Sequence, residues 1–178
     1  AAIANISIKT MSPSFFMTPS FSPSSVNKLY ATDPTYNPLS QWAAKIKEIA
    51  AGFGVGFASN QEIDTIGIVP ATYLAIRRAL EQLPIFPQHL LTDYLFLPDV
   101  AIPQTPLVKG DACCLSIASA SVLAKTSRDA LLRQMDIDFP GYGFSQHKGY
   151  GTRKHRLILQ QLGPSPIHRL SFSYKREV

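Results

Sequence analysis

The chain has 178 residues, of which 46% are hydrophobic and 16% are charged, so it is long enough to bury a core and too apolar for a disordered protein. Its net charge of +5 is unevenly distributed, with a net of −1 over residues 1–108 and +6 over residues 109–178. No apolar run approaches the roughly 20 residues that span a bilayer, which excludes a membrane segment within this sequence.

The first half of the chain begins with little regular structure. Ala1–Ile8 predicts a short strand, and residues 10–40, rich in Pro and Ser, predict an irregular segment. A helix is expected from Gln41, because Trp42, Ile46 and Ile49 fall on one helical face. Gly52–Ala58 then predicts a strand whose glycines let a neighbouring element approach closely.

The middle of the chain contains clear boundary signals. Ser59 and Glu62 have the spacing of a capping box and predict the start of a short helix. Pro70 suits the first residue of a helix that runs to about Leu83. Leu90–Phe96 predicts a strand, with Asp93 in the middle of an apolar run.

The last third predicts one more strand and two more helices. Pro106–Lys109 is expected to be a short strand that leads into the longest helix, about Asp111–Met135. A final helix should run from Thr152, a suitable N-cap, to Gly163. Strands that alternate with helices indicate an α/β domain, and we expect a single domain over residues 1–178.

Two acidic residues are candidates for a metal site. Asp93 within an apolar strand would be costly to bury without a partner, and a cation would offset that cost; an ordinary turn-capping Asp explains it as well. Asp111 follows a strand and opens a helix, whose positive end favours an anionic carboxylate, but it also fits a plain helix cap. Carboxylates at a strand end and a helix start can meet at one edge of an α/β sheet. Oxygen ligands of this kind suit Mg²⁺.

Basic and aromatic residues of the last third are candidates for contact with a nucleic acid. The charge asymmetry fits a surface that faces a polyanion, although a solvated basic face would look the same. Tyr150 lies between two glycines in a basic stretch and could stack on a sugar or a base, or cover the edge of the core. Lys109, Lys125 and Lys148 could contact phosphates without reading sequence. Tyr142, in contrast, is expected to be structural.

The two cysteines and the histidines offer weaker signals. Cys113 and Cys114 are adjacent and poorly placed to pair with each other, which favours a reducing compartment and, with it, the cytoplasm. A Cys114 nucleophile with a histidine base would make the chain a different α/β hydrolase. His155 and His168 lack metal-type spacing and are expected to be structural.

An ordered series of motifs from about Ala50 to Phe172 resembles the ribonuclease HII family. The matching segments are Gly54-Val55-Gly56, Glu62-Ile63-Asp64, Ala71-Thr72, Arg77-Arg78-Ala79-Leu80, Lys109-Gly110-Asp111-Ala112, Ser116-Ile117-Ala118, Ala124-Lys125, Arg128-Asp129, Pro140-Gly141-Tyr142-Gly143-Phe144, His147-Lys148-Gly149-Tyr150-Gly151-Thr152 and Gly163-Pro164-Ser165-Pro166-Ile167-His168-Arg169. Such a long ordered set is highly specific.

The resemblance implies a fold, an activity and residue roles. The fold would be an RNase H-like mixed sheet flanked by helices, with a helical C-terminal segment. The activity would be Mg²⁺- or Mn²⁺-dependent cleavage of RNA in RNA/DNA hybrids, and incision at ribonucleotides embedded in DNA, by a two-metal mechanism. Asp93 and Asp111 would be catalytic metal ligands. Tyr150 would stack at the RNA–DNA junction, and Lys109, Lys125 and Lys148 would hold the substrate of a monomeric enzyme.

The sequence departs from the family pattern at its beginning. The Asp-Glu-Ala-Gly-Arg-Gly strand, which supplies two more metal carboxylates in the family, is not found in these residues, and no two acidic residues are adjacent. Tyr94 stands where the family often has glycine. We therefore predict that this polypeptide has little or no nuclease activity. A catalytically impaired nucleic-acid-binding module of the same fold is the alternative.

Overall fold

A computed structural model describes residues 38–172 of the chain, so the predicted strand Ala1–Ile8 and most of the Pro/Ser-rich segment 10–40 lie outside the described residues. Within residues 38–172 the elements follow the order α1 Pro38–Ile49, α2 Asn60–Ile66, α3 Ile68–Glu81, β1 Leu90–Asp93, β2 Gln104–Leu107, α4 Gly110–Cys113, α5 Leu115–Asp138, α6 Phe144–His147 and α7 Arg153–Leu162. The expected α/β class is confirmed. No helix of this part of the chain is long and apolar enough to cross a membrane.

The sheet of the described residues consists of two parallel strands. β1 pairs with β2 in a register that places Leu90 opposite Gln104 and Asp93 opposite Leu107. Because the strands are parallel, their carboxyl ends lie at the same edge. An antiparallel member, which the expected mixed sheet requires, is not found between residues 38 and 172.

The core is assembled around the helices. In α1, Leu39, Ala43 and Ile46 recur at helical spacing and pack on α5. In α3, Ile76 faces β1 and the loop that follows it. Burial of these apolar faces fixes α5 and β1 in place.

The segment Gly52–Ala58 is extended but forms no ladder with another described strand, so the prediction of a strand is wrong for this part of the structure. Its glycines are nevertheless close to a neighbour. A Cβ at Gly54 or Gly56 would collide with the backbone carbonyl oxygens of Ala79 and Ala75 in α3. Glycine is required here because a helix backbone lies directly against the segment.

The capping box predicted at Ser59 is confirmed. The Ser59 hydroxyl accepts a hydrogen bond from the Glu62 N–H at 3.1 Å, and the Glu62 carboxylate accepts one from the Ser59 N–H at 2.7 Å. Arg78 of α3 donates two further hydrogen bonds to the same carboxylate. These bonds from Arg78, followed by those from Ser59, lower the pKa of Glu62 to about 2. The start of α2 is thereby tied to α3.

Several boundaries differ from the predictions. Helix α1 begins at Pro38 rather than Gln41, and β2 spans Gln104–Leu107 rather than Pro106–Lys109. Helix α3 begins at Ile68, two residues before Pro70, and follows Gly67 with φ 84°. Strand β1 ends at Asp93 because Tyr94 has a positive φ of 66°, which leaves the extended region. The single long helix predicted from Asp111 is in fact two helices, since Cys114 is extended between α4 and α5.

Candidate functional site

Asp93 and Asp111 are brought to the same edge of the sheet. Asp93 is the last residue of β1, and Asp111 is the second residue of α4, which follows β2. The Gly110 N–H donates a hydrogen bond to Oδ1 of Asp93 at 2.9 Å, so the Asp93 carboxylate lies beside the residue that precedes Asp111. Both aspartates are exposed. We call this pair the carboxylate edge.

Gly110 lies in a closely packed position between the Ile117 side chain of α5 and the end of β1. A Cβ at this position would lie 2.5 Å from Cδ1 of Ile117 and 3.5 Å from Cα of Asp93. A larger residue would therefore displace the end of the Ile117 side chain in α5, whereas its contact with Asp93 would be an ordinary van der Waals contact. The glycine of the Lys-Gly-Asp-Ala segment therefore has a packing role against α5, beside its hydrogen bond to Asp93.

The donor set of the carboxylate edge is small. Two carboxylates can contact one hard divalent cation, and Mg²⁺ often takes only one or two protein carboxylates together with substrate phosphate. Within residues 38–172 no group of three or more His, Cys, Asp or Glu side chains is placed to hold a metal ion. The residues present thus fit a single, weakly held cation better than a pair of cations.

Tyr150 lies on a segment whose backbone is held at every residue. The Lys148 carbonyl accepts a hydrogen bond from Arg128 at 3.0 Å, and the Gly149 N–H donates to Nδ1 of His147 at 3.1 Å. The Tyr150 carbonyl contacts Nδ1 of His155 at 2.9 Å. We call Lys148, Gly149 and Tyr150 the tyrosine segment.

The Tyr150 ring itself remains available. It is 56% exposed, and the Arg128 guanidinium lies 5.2 Å from its centroid. An exposed ring on a fixed backbone suits a stacking contact, because little conformational freedom is lost when a partner binds. Tyr142, which was expected to be structural, differs from Tyr150: its ring stacks on the ring of Phe144, with 5.5 Å between the centroids.

The three candidate lysines differ in their environments. Lys109 is exposed, whereas Lys125 forms an ion pair with Asp129 at 2.6 Å, so a phosphate would have to compete for it. Burial lowers the pKa of Lys148, and Asp129 acts in the opposite direction. Arg133 and Lys125 lower this pKa further and Asp136 raises it, so Lys148 lies among charges of both signs.

From the sequence, Arg128 was expected to contact phosphate or to be exposed, and His155 and His168 were expected to be structural. Arg128 contacts both the Lys148 backbone and the Tyr150 ring, and the His147 and His155 rings stack at 3.8 Å. Two features of the sequence could have indicated these contacts: Arg128 lies one turn after Lys125, and His147 lies two residues before Gly149. The other alternative, a Cys114 nucleophile, gains no support, because no hydrogen bond among the described residues joins Cys114 to a histidine.

Three residues other than glycine have positive φ in the described part of the chain, and each is next to a candidate site residue. Tyr94 follows Asp93, Lys109 precedes Gly110 and Asp111, and Lys148 precedes Gly149 and Tyr150. Such a conformation costs on the order of 1–2 kcal/mol for a residue with a side chain. Strain of this kind tends to cluster at functional sites.

Comparisons with known proteins show the family of the chain. The family model described as Ribonuclease HII matches residues 37–175. The chain belongs to the ribonuclease HII family. It is 51% identical over 128 residues to ribonuclease HII of Dehalococcoides mccartyi, covering 72% of this chain and 60% of that protein. It is 50% identical over 132 residues to ribonuclease HII of Moorella thermoacetica, covering 74% and 64%.

Ribonuclease HII of Lachnoclostridium phytofermentans is 50% identical over 128 residues, which cover 72% of this chain and 50% of that protein. The chain thus spans between half and about two thirds of the length of these relatives. A crystal structure of ribonuclease H2 from Pyrococcus horikoshii OT3 superposes with a TM-score of 0.48 at 17% identity, over 78% of this chain and 84% of that one.

Proposed function

We propose that this ribonuclease HII chain binds RNA/DNA hybrids and DNA with embedded ribonucleotides, and that its fold is built to cleave the phosphodiester backbone on the 3′ side of a ribose. The observation that carries the proposal is the position of the strained residues. Tyr94, Lys109 and Lys148 hold the carboxylate edge and the tyrosine segment in backbone conformations that a fold tolerates mainly where function requires them.

In the proposed complex, Tyr150 stacks on the sugar at the junction between ribose and deoxyribose. Lys109 and Lys148 contact the phosphates, and Lys125 joins them if phosphate displaces Asp129. Asp93 and Asp111 would hold Mg²⁺ or Mn²⁺. When bound, the cation activates water and neutralises charge on the leaving oxygen.

We also propose that the 178-residue polypeptide turns over slowly. Hydrolysis with two cations needs more ligands than two carboxylates, and the described residues offer no third acidic side chain, histidine or cysteine at the carboxylate edge. Binding depends on other groups and does not share this weakness. The same ligand count favours the second candidate function, a module that binds the duplex without cleaving it.

The test separates binding from cleavage. A duplex DNA with one embedded ribonucleotide is incubated with the polypeptide in Mg²⁺ or Mn²⁺, and binding is measured in parallel in EDTA. We expect tight, ribonucleotide-dependent binding and slow incision that the Asp111→Asn change abolishes. Asp99→Asn, which alters an exposed aspartate paired with Arg77, is the matched control.

Each other outcome has a distinct meaning. Binding that survives Asp111→Asn, with no metal-dependent cleavage in either form, selects the binding module. Fast, metal-dependent turnover refutes the proposed impairment. Cleavage that resists chelators and is stopped by thiol reagents would instead support Cys114 chemistry, and equal binding of all-DNA and ribonucleotide-containing duplexes would reject the proposed substrate.

A further inference from the structure

Two histidines connect the Tyr150 backbone to a distant loop. The Ser165 N–H donates a hydrogen bond to Nδ1 of His168 at 2.9 Å, and Nε2 of His168 lies 3.0 Å from Nε2 of His155. Nδ1 of His155 lies 2.9 Å from the Tyr150 carbonyl oxygen. The four groups form a continuous chain of hydrogen bonds, which we call the histidine relay.

The partners of the relay fix the proton on each ring. Nδ1 of His168 must accept, because its partner is a backbone N–H, so the proton of the neutral ring is on Nε2. That proton is donated to Nε2 of His155, whose own proton is therefore on Nδ1 and is donated to the Tyr150 carbonyl. A second proton on either ring would place two N–H groups against each other. The relay thus exists only with both rings neutral.

The surroundings hold the relay in place. Asn60 of α2 donates hydrogen bonds to the carbonyl oxygens of Pro166 and His168 at 2.9 and 3.1 Å. The His155 ring is stacked on His147, which itself accepts from the Gly149 N–H. Burial lowers the pKa of His147; Asp136 acts in the opposite direction, and Lys154 lowers this pKa further. Successive backbone groups of the tyrosine segment are therefore held by one pair of stacked imidazoles.

We propose that His155 and His168 are positioning residues, which fix the Tyr150 backbone so that its exposed ring meets the sugar at the RNA–DNA junction. This inference rests on the proposed function, because it assumes that Tyr150 contacts the duplex. A ring that stacks must be presented at one height and angle, and the tyrosine segment has no strand or long helix to supply that rigidity. The relay supplies it through the neutral imidazoles.

The test is a double-mutant cycle on the polypeptide in EDTA at neutral pH and fixed salt, with a duplex containing one ribonucleotide and the matching all-DNA duplex. His155→Phe keeps a stacked ring and removes the relay. We expect it to reduce the preference for the ribonucleotide duplex about fivefold, and Tyr150→Ala to reduce it about tenfold. The double variant should match Tyr150→Ala, since the relay acts only through Tyr150.

Two controls separate positioning from general folding. His155→Asn retains a donor for the Tyr150 carbonyl but loses the contact with His168, and we expect it to restore part of the preference. His89→Phe changes an exposed histidine that contacts Thr105, outside the relay, and should have no effect. Equal weakening of both duplexes by His155→Phe, or additivity with Tyr150→Ala, overturns the inference alone. Unchanged binding by Tyr150→Ala overturns the proposed contact, and with it the inference.

A measurement on the unmodified protein covers the case in which His155→Phe does not fold. Nitrogen-15 NMR of the imidazoles should show the proton on Nε2 of His168, on Nδ1 of His155 and on Nε2 of His147, which faces the Tyr142 carbonyl at 2.8 Å. Any other tautomer for His155 or His168 contradicts the relay.

Discussion

The carboxylate edge and the tyrosine segment are built in opposite ways. At the edge, one backbone hydrogen bond from Gly110 ties α4, which carries the exposed Asp111, to the carboxylate of the exposed Asp93. In the tyrosine segment, Arg128, His147 and His155 hold successive backbone groups. The proposed substrate contact would therefore be prepared in advance by the protein, whereas the proposed metal site would depend on groups that a cation and a phosphate backbone must help to assemble.

The first prediction concerns Asn60, which holds the backbone of Pro166 and His168 and so supports the tyrosine segment indirectly. Asn60→Ala leaves the carbonyl oxygens of Pro166 and His168 without their donor, and Asn60 is buried, so we expect a loss of about 3 kcal/mol of unfolding free energy. Urea unfolding gives the value. Gln61→Ala, at an exposed position of the same helix, should change it little.

Amide hydrogen exchange in the same variant tests the comparison directly. The Tyr150 N–H, which bonds to the His147 carbonyl at 2.9 Å, should lose protection in Asn60→Ala. The Gly110 N–H, which bonds to Asp93, should keep its protection. Equal loss at both amides would mean that the two regions open together and that the contrast between them is wrong.

The parts of the fold that depend on nearby residues were predictable from the sequence. The capping box of Ser59 and Glu62 and the N-cap at Thr152 each need residues only three positions apart, and both formed as expected. The strand predicted at Gly52–Ala58 did not form among the described residues, because a ladder needs a partner. Its small residues signal close approach of any backbone, and here that backbone is α3.

The site shows the same division. Its residue types could be read from the motifs, but their support could not, because Asn60 and His168 are 108 residues apart in sequence and meet only through the fold. The break between α4 and α5 at Cys114 could not be predicted from the sequence either, since no residue near it disfavours a continuous helix. Without that break, the short helix of Asp111 could not turn separately toward β1.

The second prediction concerns pH. Burial, followed by the charge of neighbouring His155, lowers the pKa of His168 from 6.5 to about 4. Between these two pKa values the unfolded chain therefore binds a proton on this histidine that the folded chain does not bind. The free energy of unfolding keeps its full value above pH 6.5 and decreases as the pH falls toward 4. After allowance for the partly exposed ring, we expect a loss of roughly 2 kcal/mol.

Urea unfolding across this range measures the effect. His168→Asn should be less stable than the unmodified protein at neutral pH, and its stability should depend less on pH between 6.5 and 4. The tyrosine segment should open first, as loss of protection at the Tyr150 amide. A variant whose stability curve runs parallel to that of the unmodified protein would assign the acid sensitivity to other groups.

The third prediction addresses strain beside the carboxylate edge. Tyr94 has φ 66° and a ring that is 74% exposed, so replacing it removes little packing. Tyr94→Gly should be more stable than Tyr94→Ala by about 1 kcal/mol, because alanine retains the strain and glycine removes it. Urea unfolding of the two variants gives the difference. Equal stabilities would mean that the backbone at Tyr94 relaxes freely. Backbone strain would then no longer be an argument for a functional site at the carboxylate edge.

The last prediction tests how few metal ligands the carboxylate edge offers. Two exposed carboxylates should bind Mg²⁺ only in the millimolar range, so 10 mM Mg²⁺ should raise the unfolding free energy by less than about 1 kcal/mol by mass action. Asp93→Asn or Asp111→Asn should abolish this increase, and Asp99→Asn should leave it intact. A substantially larger increase would require ligands beyond the two aspartates, and the edge would then be as well prepared as the tyrosine segment. A small increase that survives all three changes would instead assign the ion to another part of the surface.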